Sequence, residues 1–127
     1  MGIPWYGYNY PCENAGNNQT ETCDLALVPF RGVNCSDAAG SEIAYENIMK
    51  ILADKATNNV TTEIRRGSYL QTPNFNYVDA NGKTHQLWFD DPESLTPKYQ
   101  MAKDMNLRGI GPYRFDQVDP INQPEQF

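Results

Sequence analysis

Histidine is nearly absent from this sequence: His85 stands alone among 127 residues. A histidine-rich metal site or a Ser-His-Asp triad would have to be built around that one ring, which argues against both. Positive charge is also short. Ten Lys and Arg face 16 Asp and Glu, leaving a net charge of -6, and Arg65-Arg66 is the only basic doublet. Phosphate binding needs concentrated cationic groups, so no nucleic-acid partner is expected. Apolar runs are only a few residues long, so no membrane span is expected. The three cysteines, Cys12, Cys23 and Cys35, form no C-x-x-C pair, and a zinc or thioredoxin-type reading is weak. Neither metal nor cofactor is expected. Residues 1–5 carry no basic stretch and no apolar core of a signal peptide. If the chain is exported, its start lies elsewhere.

Aromatic residues are what the sequence does supply: eight Tyr, five Phe and two Trp, enough bulky surface for a folded domain. Three N-x-S/T sequons, at Asn18, Asn34 and Asn59, point to the secretory pathway. Cysteines in that setting usually pair. Their odd number leaves a free thiol or a partner outside the chain, so Cys12, Cys23 and Cys35 are all disulfide candidates. Residues 1–10 alternate and are aromatic, as in a strand. Residues 25–28 form a second, short strand candidate. From Ser41, a plausible N-cap, Ile43, Ala44, Ile48, Ile51 and Leu52 recur at helical offsets, which predicts a helix ending at 55–58. Residues 68–91 read as a hairpin turning at Asn81-Gly82. Asp91 as N-cap and Pro92 at N1 open a second helix. Residues 107–111 read as a buried strand. The Pro-rich stretch 112–127 has no period and reads as a flexible tail.

Several segments together carry a family resemblance. Gly2-Ile3-Pro4-Trp5-Tyr6-Gly7-Tyr8 resembles a barrel-strand segment of glycoside hydrolase family 18, the chitinases and chitobiases. Val28-Pro29-Phe30-Arg31-Gly32, Cys35-Ser36-Asp37-Ala38-Ala39-Gly40 and Ile48-Met49-Lys50 resemble its chitobiase branch. So do Tyr77, His85-Gln86-Leu87-Trp88-Phe89-Asp90, Asp91-Pro92-Glu93-Ser94-Leu95, Lys98 and Leu107-Arg108-Gly109-Ile110-Gly111. The match runs in order over residues 1–111.

The resemblance implies an α/β fold, a partial (β/α)8 TIM barrel in which residues 1–8 are strand seven and 107–113 strand eight. A small α+β insertion, including the hairpin at about 68–91, lies between them. Residues 112–127 are a divergent tail. The implied activity is hydrolysis of β-1,4 linkages between N-acetylglucosamine units, as in the chitobiose core of N-linked oligosaccharides. The substrate's own acetamide acts as nucleophile and the product retains its configuration. The family's D-x-x-D-x-D-x-E acid segment does not occur in this sequence. Asp90-Asp91, Asp116 and Asp119 are its nearest acidic groups and none has that spacing. No catalytic residue is therefore assigned, and the chain is expected to require the N-terminal barrel segments. Three tyrosines remain as substrate-binding candidates: Tyr6 at the barrel mouth, Tyr8 where many chitinases have Arg, and Tyr113 where the family has a Trp under the sugar. Trp5 should face the surrounding helices. The alternative is a non-catalytic chitooligosaccharide-binding, chitinase-like protein. The implied location is lysosomal or extracellular.

Overall fold

The computed structural model describes residues 1–14, 22–29, 39–67 and 71–118. Two sheets organise them. The smaller is a parallel pair, β1 (Gly2–Pro4) beside the C-terminal strand Gly111–Tyr113. The larger is a five-stranded antiparallel sheet. It contains β2 (Tyr6–Pro11), β3 (Ser41–Ala44), β4 (Arg65–Arg66), β5 (Pro73–Val78) and β6 (Thr84–Phe89), in the spatial order β3-β2-β6-β5-β4. The Gly111–Tyr113 strand is β7. Helix α1 (Tyr45–Ala53) follows β3, and α2 (Pro92–Asp104) follows β6.

The strand expected over 1–10 is two strands in two different sheets. The chain changes sheet at Trp5, whose backbone N–H donates to Tyr113 O at 2.8 Å and whose O accepts from Tyr45 N at 3.3 Å. Its ring is buried and meets Tyr45 edge-on at 5.1 Å, so it faces α1, as the alternation implied.

The helix expected from Ser41 begins four residues later. Residues Ser41–Ala44 pair with β2, Tyr6 opposite Ala44 and Asn9 opposite Ser41. Ladder bonds to a neighbouring strand outweigh a local capping preference. Helix α1 has no side-chain cap at Ala44 and ends at Ala53, short of the expected 55–58. In residues 25–28 only Leu25 bridges, to Cys12, and Leu27 is fully exposed.

The hairpin forms about the expected turn, with arms Pro73–Val78 and Thr84–Phe89, while residues 68–70 of the expected span lie outside the described residues. Asp79 Oδ1 accepts from Asn81 N at 2.9 Å and Lys83 N at 2.8 Å, which ties the turn. Gly82 takes φ +80 there, a conformation that glycine adopts without Cβ strain. Helix α2 is capped as expected: Asp91 Oδ1 accepts from Ser94 N, and Ser94 Oγ accepts from Asp91 N, each at 2.9 Å. That is a reciprocal capping box with Ser in place of the usual Glu.

The last strand is displaced from its expected place. Residues 107–110 are not a strand and Leu107 is exposed, whereas Gly111–Tyr113 pairs with β1. Pro112 sits opposite Ile3 in that pair. Residues 112–118, placed in the flexible tail by composition, carry regular structure. A 3-10 turn, Phe115–Gln117, brings Val118 into the core, and Gln117 Nε2 donates to Glu42 Oε1 at 2.9 Å. Residues 119–127, with Asp119, lie outside the described residues.

One face of the large sheet builds the core. Phe75 (β5) and Leu87 and Phe89 (β6) pack on Ile48 and Tyr45 of α1, with Ile3, Trp5, Leu95 and Val118 completing the cluster. Truncating a fully buried Phe such as Phe75 removes about 3–5 kcal/mol.

Candidate functional site: a tyrosine ladder beside a half-buried tryptophan

Alternation along β2 puts Tyr6, Tyr8 and Tyr10 on the face opposite that core. Because β1 and β7 run the same way, Tyr113 ends its strand next to where β2 begins. The rings form a ladder. Tyr113 and Tyr6 stand 6.2 Å apart at 81°, Tyr6 and Tyr8 6.1 Å at 69°, and Tyr8 and Tyr10 5.9 Å at 22°. Tyr113 is 59% exposed, and Tyr6 and Tyr8 are half-buried. All three sequence candidates are therefore brought together.

Tyr10 plays a different part. A Cβ on Gly40 would lie 2.5 Å from Tyr10 Cε1, so the Tyr10 ring is wedged between the Gly40 backbone and Tyr8.

An open groove of about 250 Å³ runs along the Tyr6-Tyr8-Tyr10 part of the ladder, lined by Pro4, Tyr6, Gly7, Tyr8, Tyr10, Thr72, Trp88, Phe89 and Asp90, with Tyr113 outside its lining. Thr72, Trp88 and Asp90 were not found by sequence reasoning. The signal lay in the register: β2 pairs with β6 so that Tyr8 stands opposite Trp88. Trp88 is held by a run of amides. Its Nε1 donates to Gln86 Oε1 at 2.9 Å, and Gln86 Nε2 donates to Asn76 Oδ1 at 3.1 Å. Arg65 Nη2 donates to the same Asn76 oxygen at 2.8 Å. Asn76 and Gln86 are buried, where each lost bond is costly.

The adjacent carboxylates diverge, as extended backbone requires. Asp90 is buried; its Oδ1 accepts from Ser94 Oγ at 2.7 Å and its Oδ2 from Lys98 Nζ. Asp91 turns away to cap α2 and takes both terminal nitrogens of Arg66 on β4. Burial raises the Asp91 pKa, but hydrogen bonds from Arg66 and from the Ser94 N–H outweigh it, and the net position is below the ordinary value. Hydrogen bonding to Asp91, the largest cause, holds the Arg66 guanidinium above its ordinary value.

His85 is a cross-strand residue. It stacks on Tyr77 at 5.1 Å and 19°, with Nδ1 3.2 Å from Asn9 Oδ1 and Nε2 3.3 Å from Asp79 Oδ2. Burial pushes the Tyr77 hydroxyl up, against a hydrogen bond with Asn9 that lowers it.

Cys12 and Cys23 form a disulfide. It ties the end of β2 to the segment carrying Asp24, beside Glu13 N donating to Asp24 O at 2.8 Å. Cys35, Asn18 and Asn34 lie outside the described residues, and Asn59 is exposed.

Chemically, the groove offers aromatic faces and tyrosine hydroxyls, while Asp90 at its edge is already engaged by Ser94 and Lys98. No family model matches the chain. It is 46% identical over 122 residues to the probable di-N-acetylchitobiase 1 of Dictyostelium discoideum, covering 93% of this chain and 32% of that protein. It is 40% identical over 119 residues to human di-N-acetylchitobiase, covering 94% of this chain and 29% of that protein. Over nearly its whole length the chain is thus similar in sequence to one segment of the di-N-acetylchitobiases. Among solved structures, the chitobiase-like chain resembles the Bacillus cereus spore cortex-lytic enzyme SleL. The TM-score is 0.61 at 25% identity, over 98% of this chain and 24% of that one. It thus spans about a third of the length of the curated relatives it matches.

Proposed function

We propose that the chain supplies the last two strands of a (β/α)8 barrel and the α+β insertion between them, and that Tyr6, Tyr8 and Tyr113 line the sugar site of a chitobiase-type glycosidase. The observation that carries this reading is the parallel β1–β7 pair, with Tyr6 and Tyr113 at its C-terminal end. Active sites of such barrels gather at that end of the strands. The substrate is an oligosaccharide of β-1,4-linked N-acetylglucosamine. Its acetamide oxygen attacks the anomeric carbon, and an acid from elsewhere in the barrel protonates the leaving oxygen. A general acid contributes roughly 10²–10⁴-fold. Without the D-x-x-D-x-D-x-E segment, the chain requires the first six strands of the barrel and is inactive alone. A lysosomal or extracellular location fits the Cys12–Cys23 disulfide.

The second reading is a non-catalytic chitooligosaccharide binder. In it the aromatic faces of Tyr6 and Tyr113 serve as sugar platforms with no acid required.

Both are tested on the chain alone and on the chain joined to the preceding two-thirds of a Dictyostelium relative. The joined protein should hydrolyse chitobiose, and the chain alone should not. Tyr6→Ala should weaken binding of chitooligosaccharide by about 1–2 kcal/mol, roughly tenfold, in calorimetric titration. Turnover by the chain alone sinks the barrel reading. Unchanged titration of Tyr6→Ala removes the sugar site from this groove. Binding without turnover in the joined protein selects the second reading.

A further inference from the structure

Away from the tyrosine ladder, a second cleft of about 280 Å³ opens between the end of α1 and the hairpin turn, with no lining residue in common with the first. Ile51, Val78 and Ala80 give it an apolar wall, Tyr77 an aromatic one, and Asp79 a carboxylate. Asn59 lines it too, and Asn59-Val60-Thr61 is a sequon that neither the ladder nor the core uses.

The backbone there is firmly placed. Asn59 has φ 48, a left-handed conformation that Asn tolerates better than most residues. Its N–H donates to Ala56 O at 3.2 Å and its C=O accepts from Val78 N at 3.0 Å. Val60 bridges to Tyr77, and Thr61 N donates to Asn76 O at 2.9 Å. The Asn59 side chain takes no part in these bonds and is exposed. A hydrogen-bonded turn next to an isolated bridge thus holds a modifiable amide at the edge of a cleft.

We propose that Asn59 carries an N-linked glycan whose first N-acetylglucosamine lies in this cleft instead of projecting into water. In the modification, Asn59 Nδ2 bonds to C1 of the terminal sugar of a lipid-pyrophosphate-linked oligosaccharide. The bond from C1 to the pyrophosphate oxygen breaks, the lipid pyrophosphate leaves with the electron pair, and the amide nitrogen gives up one proton. The cleft is at the small end of ligand sites, roughly 300 Å³, which suits one pyranose and its acetamide. The C–H face meets Val78 and Ile51, and the hydroxyls meet Asp79. Single contacts of this kind are weak, but a tether one side chain long supplies an effective concentration in the mM range. The seated sugar then covers the Val78 N–H to Asn59 C=O bond and the end of α1.

This rests on the secretory-pathway reading above, and the test separates the two. The full chain is expressed in a secretory eukaryotic host, its glycopeptides are mapped, and amide hydrogen exchange is followed at residues 58–60 and 77–80. Three forms are compared: fully glycosylated, trimmed to one sugar per site, and Asn59→Gln. The expected result is an occupied Asn59 and about tenfold slower exchange at those amides, kept with one sugar and lost in Asn59→Gln. Thr61→Ser, which preserves the sequon and its hydroxyl, should behave as the parent. Occupied Asn18 or Asn34 with a bare Asn59 overturns the proposal alone. So does an occupied Asn59 with unchanged exchange. Three bare sequons overturn it together with the secretory reading.

Discussion

Gly7, on the groove floor, has no room for a side chain. A Cβ there would sit 2.5 Å from Trp88 O, 2.8 Å from Ile48 Cδ1 and 2.9 Å from Phe89 Cβ. Two of those neighbours are backbone or the root of a side chain, so they cannot rotate aside. Gly7→Ala should therefore cost about 1–3 kcal/mol, read as a lower urea midpoint at unchanged slope. Asp91 gives a second case. Asp91→Ala removes a cap worth about 0.5–2 kcal/mol and leaves Arg66 with only Glu93, 3.0 Å away. Its carboxyl titrates below its ordinary value of 3.8 in the folded chain. The stability it contributes is therefore complete above that value and is lost as pH falls through the lower folded one. Thermal melts below pH 3.8 should fall more steeply for the parent than for Asp91→Asn, which still caps but cannot pair. Equal slopes would remove Asp91 from the acid response. At this scale much was legible. The Asp91 cap follows from capping chemistry, whereas Tyr6, Tyr8 and Tyr113 come through the family resemblance. Trp88, Asp90 and Thr72 follow from neither, because membership of the groove depends on which strand lies beside β2.

Among the elements, the hairpin and α2 carry strong local signals, Asn81-Gly82 and Asp91-Pro92, and both form where those signals lie. The segment 41–44 shows the opposite. Ile43 and Ala44 fit a helical period with Ile48, but β2 offers a partner, and the ladder takes those residues. Nonlocal pairing is invisible to a window of a few residues. The same holds for residues 107–113, where apolar character pointed to 107–111 while the register with β1 selects Gly111–Tyr113. The two sheets should also differ in persistence. β5 and β6 are flanked on both sides by other strands, whereas β1 and β7 have only each other among the described residues. Two strands alone are marginal in water. In the isolated chain, amides of β1 and β7 should exchange at least tenfold faster than those of β5 and β6. Equal protection would mean that the pair needs no neighbours.

For the whole molecule, composition excluded more than it specified, and the ordered resemblance supplied the family. What could not be read was the division of one aromatic stretch between two sheets. Trp5 lies between them, bonded through N–H to Tyr113 of β7 and through C=O to Tyr45 at the start of α1. Turning one sheet against the other at this point would break a bond on one side or the other and drag a buried indole with it. The edge-to-face contact of Tyr6 with Tyr113, 6.2 Å between ring centres, therefore holds only while both bonds do. The relative pose of these two rings is thus set through the main chain, and any change at Trp5 would reach the ladder from outside it.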